Sequence, residues 1–274
     1  MKPPELDQRA KWSIRVVDAD SGEELLAHEP DVVCETASIG KVFLLLEVAQ
    51  RLEDGRFSPD DRIRIEDEHR VEDSGLLYRM RDQRVTVEDA ALLVGAVSDN
   101  LATNALIAMC GLDTVRAVAK NLGLERTELH DFIRDARLPG MPWTPSFGTA
   151  RELADVMRRL ARRELGSPAV SERVLGWLAA DTDTSMLADA FLLDPLAHAE
   201  PEYQGIELHH KTGSTSFARI DIGHVRGPSG AVAYAVAANW RDSDVDLRAP
   251  VIDAMREIGE EIRSRITGQE RSAQ

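Results

Sequence analysis

The sequence predicts an α/β protein of two lobes, with an antiparallel sheet that is built from both chain ends and flanked by helices. Three observations support this fold class. Strand-like alternation occurs in residues 12–18 and 24–28, helical periodicity dominates residues 85–180, and strand-like segments return in residues 206–240 before a closing helix. Strands from the two ends must therefore meet across a long helical insert.

These patterns also predict how the chain is divided. We expect residues 1–45 and 190–274 to form the α/β lobe and residues 46–189 to form an all-helical lobe. The two lobes are expected to act as one functional unit with the active site between them. A chain of 274 residues is long enough to bury a sizeable core in such an arrangement.

The individual elements follow from periodicity and from turn residues. A helix is expected to begin near Ser38, because apolar residues then recur at helical spacing and Gly55 offers a C-cap. Thr86 and Thr149 are N-cap candidates for two helices of the middle segment. The late strand candidates are residues 206–211, 218–225 and 231–240. The closing helix carries one apolar stripe, formed by Val251, Met255, Ile258, Ile262 and Ile266.

Charge and composition exclude several classes of function. The formal net charge is −15 and the isoelectric point is about 4.9, so neither nucleic acid nor an anionic membrane surface is an expected partner. The histidines show no H-E-x-x-H spacing and the chain has no G-x-x-x-x-G-K-[ST] phosphate loop, so no metal and no cofactor is expected. Cys34 and Cys110 lie in apolar surroundings and are expected to be buried packing residues.

The first ten residues contain no apolar segment of the kind that a secretory signal carries, and no stretch of the chain has the length of a membrane span. As written, the sequence therefore predicts a cytoplasmic protein. A protein whose leader had been removed would instead be periplasmic or secreted. The sequence makes no prediction of the oligomeric state.

Residues 38–41 read Ser-Ile-Gly-Lys, an S-x-x-K motif in front of a very apolar helix. A spacing of three places Ser38 and Lys41 on the same helix face. A serine hydroxyl is a weak nucleophile until an adjacent base takes its proton, and lysine becomes such a base when burial or positive charge lowers its pKa. The alternative interpretation is an ordinary first helical turn with a surface lysine.

Residues 98–100 read Ser-Asp-Asn after an apolar helical run. The hydroxyl and carboxylate could pass protons, and the amide could bind a carbonyl or amide of a substrate. The alternative interpretation is an N-cap cluster that begins the next helix, because all three residue types are good caps.

Residues 211–213 read Lys-Thr-Gly at the end of a strand candidate, and Ser214 follows them. Lys211 offers a charge for a substrate carboxylate, Thr212 offers a hydroxyl, and Gly213 permits close backbone approach. The backbone N–H of Ser214 could bind an oxyanion. The alternative interpretation is a polar turn that follows a strand.

The three motifs occur in the order S-x-x-K, S-D-N and K-T-G, which resembles the signature of class A β-lactamases and penicillin-binding proteins. The similarity extends from about Lys11 to about Ile266. The resemblance implies the two-lobed fold of the serine β-lactamases. It implies that Ser38 attacks the substrate carbonyl and forms an acyl-enzyme, that Lys41 is its base or a proton relay, and that Ser98 carries protons towards the leaving nitrogen.

The resemblance also implies the binding residues. Asn100 would bind the substrate side-chain amide, and Lys211, which belongs to the catalytic motifs, would hold the substrate carboxylate together with Thr212. The backbone N–H groups of Ser38 and Ser214 would form the oxyanion hole. Arg219 is the candidate for the family's additional carboxylate-binding arginine.

One part of the family pattern is missing. Class A β-lactamases carry an E-x-x-L-N loop whose glutamate activates the deacylating water, and residues 124–148 contain no such pattern. Four carboxylates in this segment are the candidates to replace it: Glu125, Glu128, Asp131 and Asp135. Without a replacement, an acyl-enzyme would turn over slowly.

The sequence therefore predicts a serine hydrolase that acts through an acyl-enzyme at Ser38, with β-lactam hydrolysis as the leading activity and weak deacylation. The alternatives are a DD-peptidase or esterase on the same scaffold and a penicillin-binding domain that is acylated without turnover. The expected partner is a small β-lactam, ester or peptide substrate.

Overall fold

A five-stranded antiparallel sheet is built from both ends of the chain. The computed structural model describes residues 1–198, 205–241 and 245–268. Its strands are β1 (Lys11–Asp18), β2 (Glu24–His28), β3 (Cys34–Glu35), β4 (Glu128–Leu129), β5 (Ser146–Gly148), β6 (Glu207–Thr215), β7 (Ala218–Gly227) and β8 (Gly230–Asn239). The large sheet has the order β2-β1-β8-β7-β6, so the amino-terminal β1 pairs directly with the carboxyl-terminal β8. This confirms the predicted origin of the sheet.

The helices surround this sheet and fill the middle of the chain. They are α1 (Lys41–Glu53), α2 (Val87–Val97), α3 (Asn100–Cys110), α4 (Leu112–Asn121), α5 (Ala150–Ala161), α6 (Pro168–Leu178) and α7 (Arg248–Thr267). The predicted caps are present: the Thr86 hydroxyl accepts a hydrogen bond from the backbone N–H of Asp89, and Thr149 does the same for Glu152. The apolar start of α1 is buried on all sides, so this helix forms the centre of the helical lobe.

The two faces of the sheet bury different helices. Side chains alternate along β8, so Ala233, Ala235 and Ala237 face the core shared with α1 and α5, whereas Val232, Tyr234 and Val236 face the core shared with α7. The three alanines leave room for α5 to lie directly on the sheet, and α5 contacts β1, β7 and β8. The closing helix covers the opposite face with the apolar stripe that the sequence indicated.

Two details of the predicted organisation are wrong. Segment 46–189 is not all-helical, because β4 and β5 pair with each other and with β3 in a small second sheet. The Lys-Thr-Gly segment lies inside β6 rather than at a strand end, since Ser214 and Thr215 still pair with Arg219 and Ala218. Strands of two or three residues carry no periodicity, and polar residues concealed the extension of β6.

Among the described helices, none has the length and apolar composition to cross a membrane alone, and only α3 with α4, bent by 88°, meets that test as a pair. Both cysteines are buried and free, as expected. Burial raises the pKa of the Cys34 thiol to about 11 and that of Cys110 to about 12, which is consistent with packing residues that stay protonated.

Candidate active site

A tight turn in front of α1 presents Ser38. Residues Ala37–Gly40 form a single 3₁₀ turn, and Ala37 takes a left-handed backbone conformation with φ of 48°. The turn is held by β5, because the Ser146 hydroxyl donates a 2.7 Å hydrogen bond to the Ala37 carbonyl and the Ser146 carbonyl accepts one from the Thr36 N–H. A strained residue held by such contacts is typical of a functional site. The turn fixes the direction of the Ser38 side chain.

Lys41, three residues further on, is fully buried behind that turn. Its Nζ lies 2.6 Å from the Ser98 carbonyl oxygen, 2.7 Å from Asn100 Oδ1 and 3.1 Å from Ser98 Oγ. Two of these three partners are pure acceptors. A neutral amine has two protons to donate and one lone pair, so the third contact is then a hydroxyl of Ser98 that donates to the amine. The arrangement therefore permits proton exchange between Lys41 and Ser98.

The charge state of Lys41 is governed by its surroundings. Desolvation by burial lowers the pKa of Lys41 well below its ordinary value of 10.5, and the positive charge of Lys211 lowers it further. The carboxylates of Asp99, Asp181 and Asp73 act in the opposite direction without cancelling this effect. The fold thus favours the neutral amine that a general base requires.

The Ser-Asp-Asn segment forms the junction between α2 and α3. Ser98 ends α2 in a left-handed conformation with φ of 53°, while Asn100 begins α3 with its side chain towards Lys41. Asp99 is buried and caps α3, accepting from the Ala102 N–H at 2.9 Å and from the N–H groups of Leu76 and Leu77 at 2.7 Å each. The N-cap interpretation therefore describes Asp99, whereas its two neighbours face the lysine.

Strand β6 closely approaches the Ala37–Gly40 turn at Gly213. A Cβ placed on Gly213 would lie 2.6 Å from the Thr36 carbonyl oxygen and 3.2 Å from the Ser38 amide nitrogen. Only glycine permits this approach. The strand therefore brings Thr212 and Ser214 to the same side of the cavity as the Ser38 backbone.

An open cavity of about 630 Å³ lies over these residues. Ser38, Ser98, Asn100, Thr212 and Ser214 line it, while Lys41 and Lys211 are buried behind its wall. Arg219 is not among the described residues that line the cavity. Its Nη1 donates to the backbone carbonyls of Thr215 at 2.6 Å and of Ala218 at 2.7 Å. The geometry thus brings together every predicted site residue except this arginine.

The model of the β-lactamase enzyme family matches residues 5–266 of the chain. The chain belongs to this β-lactamase family. Its fold is that of the class A enzymes, as the sequence predicted. No curated protein is matched at a significant level.

Solved structures of the β-lactamase fold superpose on nearly the whole chain. The penicillin-binding protein PBP-A matches with a TM-score of 0.77 and 22% identity, covering 94% of this chain and 90% of PBP-A. A β-lactamase from Sphaerobacter thermophilus matches with a TM-score of 0.77 and 25% identity, covering 91% and 90%. A class A β-lactamase from Mycobacterium abscessus gives 0.76 and 20%, covering 92% and 94%.

Within this β-lactamase fold, the loop from His130 to Pro145 borders the cavity. Asp131 is buried and holds the loop together: its carboxylate accepts from Arg134 at 3.0 Å and from Arg137 at 2.9 Å. Burial alone would raise the pKa of Asp131, but the two guanidinium groups outweigh it and the pKa is lowered. Asn104 anchors the loop from α3 through the backbone of Ile133.

The four carboxylates that were candidates to replace the missing glutamate have different surroundings. Glu128 pairs with Arg116 at 2.8 Å and with His130 at 3.1 Å, Asp131 is engaged in the loop, and Glu125 is exposed. Of the four, Asp135 alone lines the cavity in the part of the chain that the structure describes, and it accepts from the Glu72 N–H at 3.2 Å.

Two acids that the sequence analysis missed lie beside the Lys-Thr-Gly segment. Asp181 is buried, and its Oδ2 lies 3.5 Å from Lys211 Nζ and accepts from the Thr212 N–H at 3.2 Å. Asp183 lines the cavity next to Thr212. Burial would raise the pKa of Asp183, but hydrogen bonds from Ser185 and from the Thr212 side chain outweigh it and lower the pKa. Their D-x-D spacing is common in loops, so no sequence signal marked them.

Among the described residues, side chains of metal-ligating types come together at one place. Glu66, Glu68 and His69 bring one ligand atom each within 4.8 Å of one another. The two glutamates are exposed and the His69 ring stacks on Phe132. This group lies outside the cavity lining.

Proposed function

We propose that this protein is a serine hydrolase that forms an acyl-enzyme at Ser38, accepts β-lactams and releases the acyl group slowly. The observation that carries the proposal is the buried Lys41. Its pKa is lowered by burial, it is hydrogen bonded to Ser98, and it lies behind the turn that presents Ser38 to the cavity. Such a lysine can act as the base that takes the proton of the Ser38 hydroxyl, and the loss of this proton makes Ser38 a nucleophile.

The acylation step follows from these contacts. Ser38 Oγ forms a bond to the lactam carbonyl carbon while its proton passes to Lys41. When the C–N bond breaks, the nitrogen receives a proton from the Ser98 hydroxyl, which Lys41 then restores. The backbone N–H groups of Ser38 and Ser214 would stabilise the oxyanion, and the close approach at Gly213 supports their placing. A variant of PBP-A forms an acyl-enzyme with penicillin G.

Slow release is supported by the fate of the loop carboxylates. Hydrolysis of the ester on Ser38 needs a base that activates water next to it. Glu128 and Asp131 are engaged in ion pairs, and Glu125 is exposed. Asp135 is exposed and already accepts a backbone hydrogen bond. These loop acids thus equip deacylation less well than Lys41 and Ser98 equip acylation.

Intact-protein mass spectrometry after exposure to benzylpenicillin tests this proposal. We expect an adduct of the mass of the drug that persists over many minutes and maps to Ser38. The variant Ser38→Ala should form none, because the nucleophile is lost. The matched control is Ser216→Ala, which removes another exposed hydroxyl outside the cavity lining and should be labelled like the wild type. Absence of any Ser38 adduct would overturn the acyl-enzyme, and rapid turnover without an accumulating adduct would overturn the slow release.

An esterase or peptidase on the same scaffold is the second candidate, and one observation favours it. Five carboxylates line the cavity, against two arginines that are both bound to Asp131. Penicillins and cephalosporins carry a carboxylate of their own, and this lining repels it. Comparing nitrocefin with a p-nitrophenyl ester distinguishes the two: preferred cleavage of the ester, lost in Ser38→Ala, supports the second candidate.

A further inference from the structure

The end of the cavity formed by Thr212 contains a carboxylate that competes for the residues expected to bind a substrate carboxylate. The Asp183 carboxylate accepts hydrogen bonds from the Ser185 hydroxyl at 2.5 Å and from the Ser185 N–H at 3.3 Å. It lines the cavity together with Thr212. The Asp183 N–H in turn donates to Asp181 Oδ1 at 3.0 Å, so the buried Asp181 fixes this acid in place.

These contacts use the donors that a substrate carboxylate would need. A threonine hydroxyl has one proton to donate, and the Asp183 carboxylate, which lines the cavity with Thr212, competes with a substrate carboxylate for that proton. The charge of Lys211 is offset by Asp181, whose Oδ2 lies 3.5 Å from the Nζ. Arg219 directs one guanidinium nitrogen to two backbone carbonyls. The carboxylate of Asp183 therefore lies at the end of the cavity where the substrate carboxylate was expected.

A group that donates hydrogen bonds, or carries positive charge, complements these atoms. An ammonium or amide N–H can donate to Asp183 and to Thr212 Oγ1 together. A carboxylate in the same place would meet a second carboxylate at short range in a partly desolvated cavity, where like charges repel more strongly than in water.

We propose that Asp183 determines substrate specificity: the Thr212 end of the cavity accepts a cationic or N–H-donating group on the leaving part of the substrate and discriminates against a carboxylate there. This inference rests on the proposed acyl-enzyme at Ser38. Among the substrates that acylate Ser38, esters and amides whose leaving group carries an amine or a primary amide are thus preferred over those that carry a carboxylate there.

A matched series of esters tests the inference. Phenylacetylglycine is esterified to three phenols that carry a carboxylate, a carboxamide or an aminomethyl group at the meta position, and each rate is normalised to cleavage by hydroxide. We expect kcat/KM to be highest for the aminomethyl ester and at least about tenfold lower for the carboxylate ester. The wild-type ranking needs no variant, so it tests the inference even if a variant fails to fold.

The variants assign the effect to one residue. Asp183→Asn removes the charge and keeps the size of the side chain. It should lower the ratio of kcat/KM for the aminomethyl ester to kcat/KM for the carboxylate ester by about tenfold. The control Glu72→Gln neutralises another exposed carboxylate of the cavity lining. It should change the ratio of the two kcat/KM values by less than about twofold. Equal rates for the three esters, or equal effects of both variants, overturn the inference while Ser38-dependent cleavage leaves the proposed function standing. If Ser38→Ala cleaves every ester like the wild type, both are overturned.

Discussion

At the scale of single residues, the proposed acylation depends on a buried lysine whose pKa is lowered. Lys41 is fully buried, and its three partners belong to the two residues that flank Asp99. A fully buried ammonium is costly, which is the reason that the amine form is favoured. The rate of acylation and the stability of the fold should both report this.

The first prediction concerns pH. Because only the neutral Lys41 accepts a proton, the rate of Ser38 adduct formation should rise with pH through the lowered pKa and reach its plateau below the ordinary lysine value of 10.5. Between this lowered pKa and the ordinary value of 10.5, the unfolded chain binds a proton that the folded protein lacks, so the Lys41 contribution to the free energy of unfolding should increase with pH over that range. Mass spectrometry of samples quenched at successive times measures the rate of adduct formation, and denaturant titrations measure the free energy of unfolding. A midpoint near 10.5 would contradict the role of Lys41, and Lys41→Met should lose both trends.

The second prediction concerns Asp99. Asp99→Ala leaves three backbone N–H groups without their acceptor, those of Leu76, Leu77 and Ala102. We expect the free energy of unfolding to fall by about 3 kcal/mol, measured with urea. Thr149→Ala removes a cap that accepts one hydrogen bond and should cost only about 1 kcal/mol. Equal losses in the two variants would show that Asp99 is no more than an ordinary cap.

The sequence predicted most of these residues because each motif has a fixed spacing on one element. Lys41 follows Ser38 within one turn, and Ser98 and Asn100 flank a capping residue. Asp181 and Asp183 were missed because they meet β6 only through the tertiary fold. Arg219 does not line the cavity, because the register of β7 determines where its guanidinium lies and the sequence left that register open.

At the scale of elements, the active site depends on how closely β6 lies against the turn in front of α1. The contact is set by Gly213, where the backbone of Thr36 occupies the place of a side chain. The small sheet contributes from the other side through Ser146. The sequence predicted the helix and the strand, but it gave no sign of β5, whose three residues carry no pattern.

The third prediction follows from this contact. Gly213→Ala should push β6 away from the turn, because the new Cβ would lie 2.6 Å from the Thr36 carbonyl oxygen. We expect acylation of Ser38 to slow by more than about tenfold, with a loss of stability of about 1–3 kcal/mol. Gly230→Ala is the control, because a Cβ there has no neighbour within 4 Å. Wild-type acylation by Gly213→Ala, measured by the same mass assay, would show that the close approach is dispensable.

At the scale of the whole molecule, the two lobes share one structure rather than forming separate units. Helix α5 belongs to the middle of the chain yet packs on β1, β7 and β8. The apolar core that surrounds α1 continues through α5 to the alanine face of β8. The predicted boundaries at residues 46 and 189 separate strand-rich from helix-rich sequence, and a pattern of that kind does not report packing between them.

The fourth prediction is that the lobes unfold together. Because a continuous core joins them, thermal unfolding should be a single transition, with near-ultraviolet and far-ultraviolet circular dichroism changing at the same temperature. Calorimetry should give equal calorimetric and van't Hoff enthalpies. Two resolved transitions, or a helical signal that survives loss of the aromatic signal, would show that the lobes are independent.

The pairing of β1 with β8 has a consequence for how the protein is made. Lys11 lies opposite Asn239, so roughly 230 residues must leave the ribosome before β1 can pair fully with β8. Until then the hairpin of β1 and β2 has an open edge and an uncovered apolar face, and such edges invite aggregation. A nascent chain that stalls before β8 would therefore depend on chaperones, whatever the stability of the finished protein.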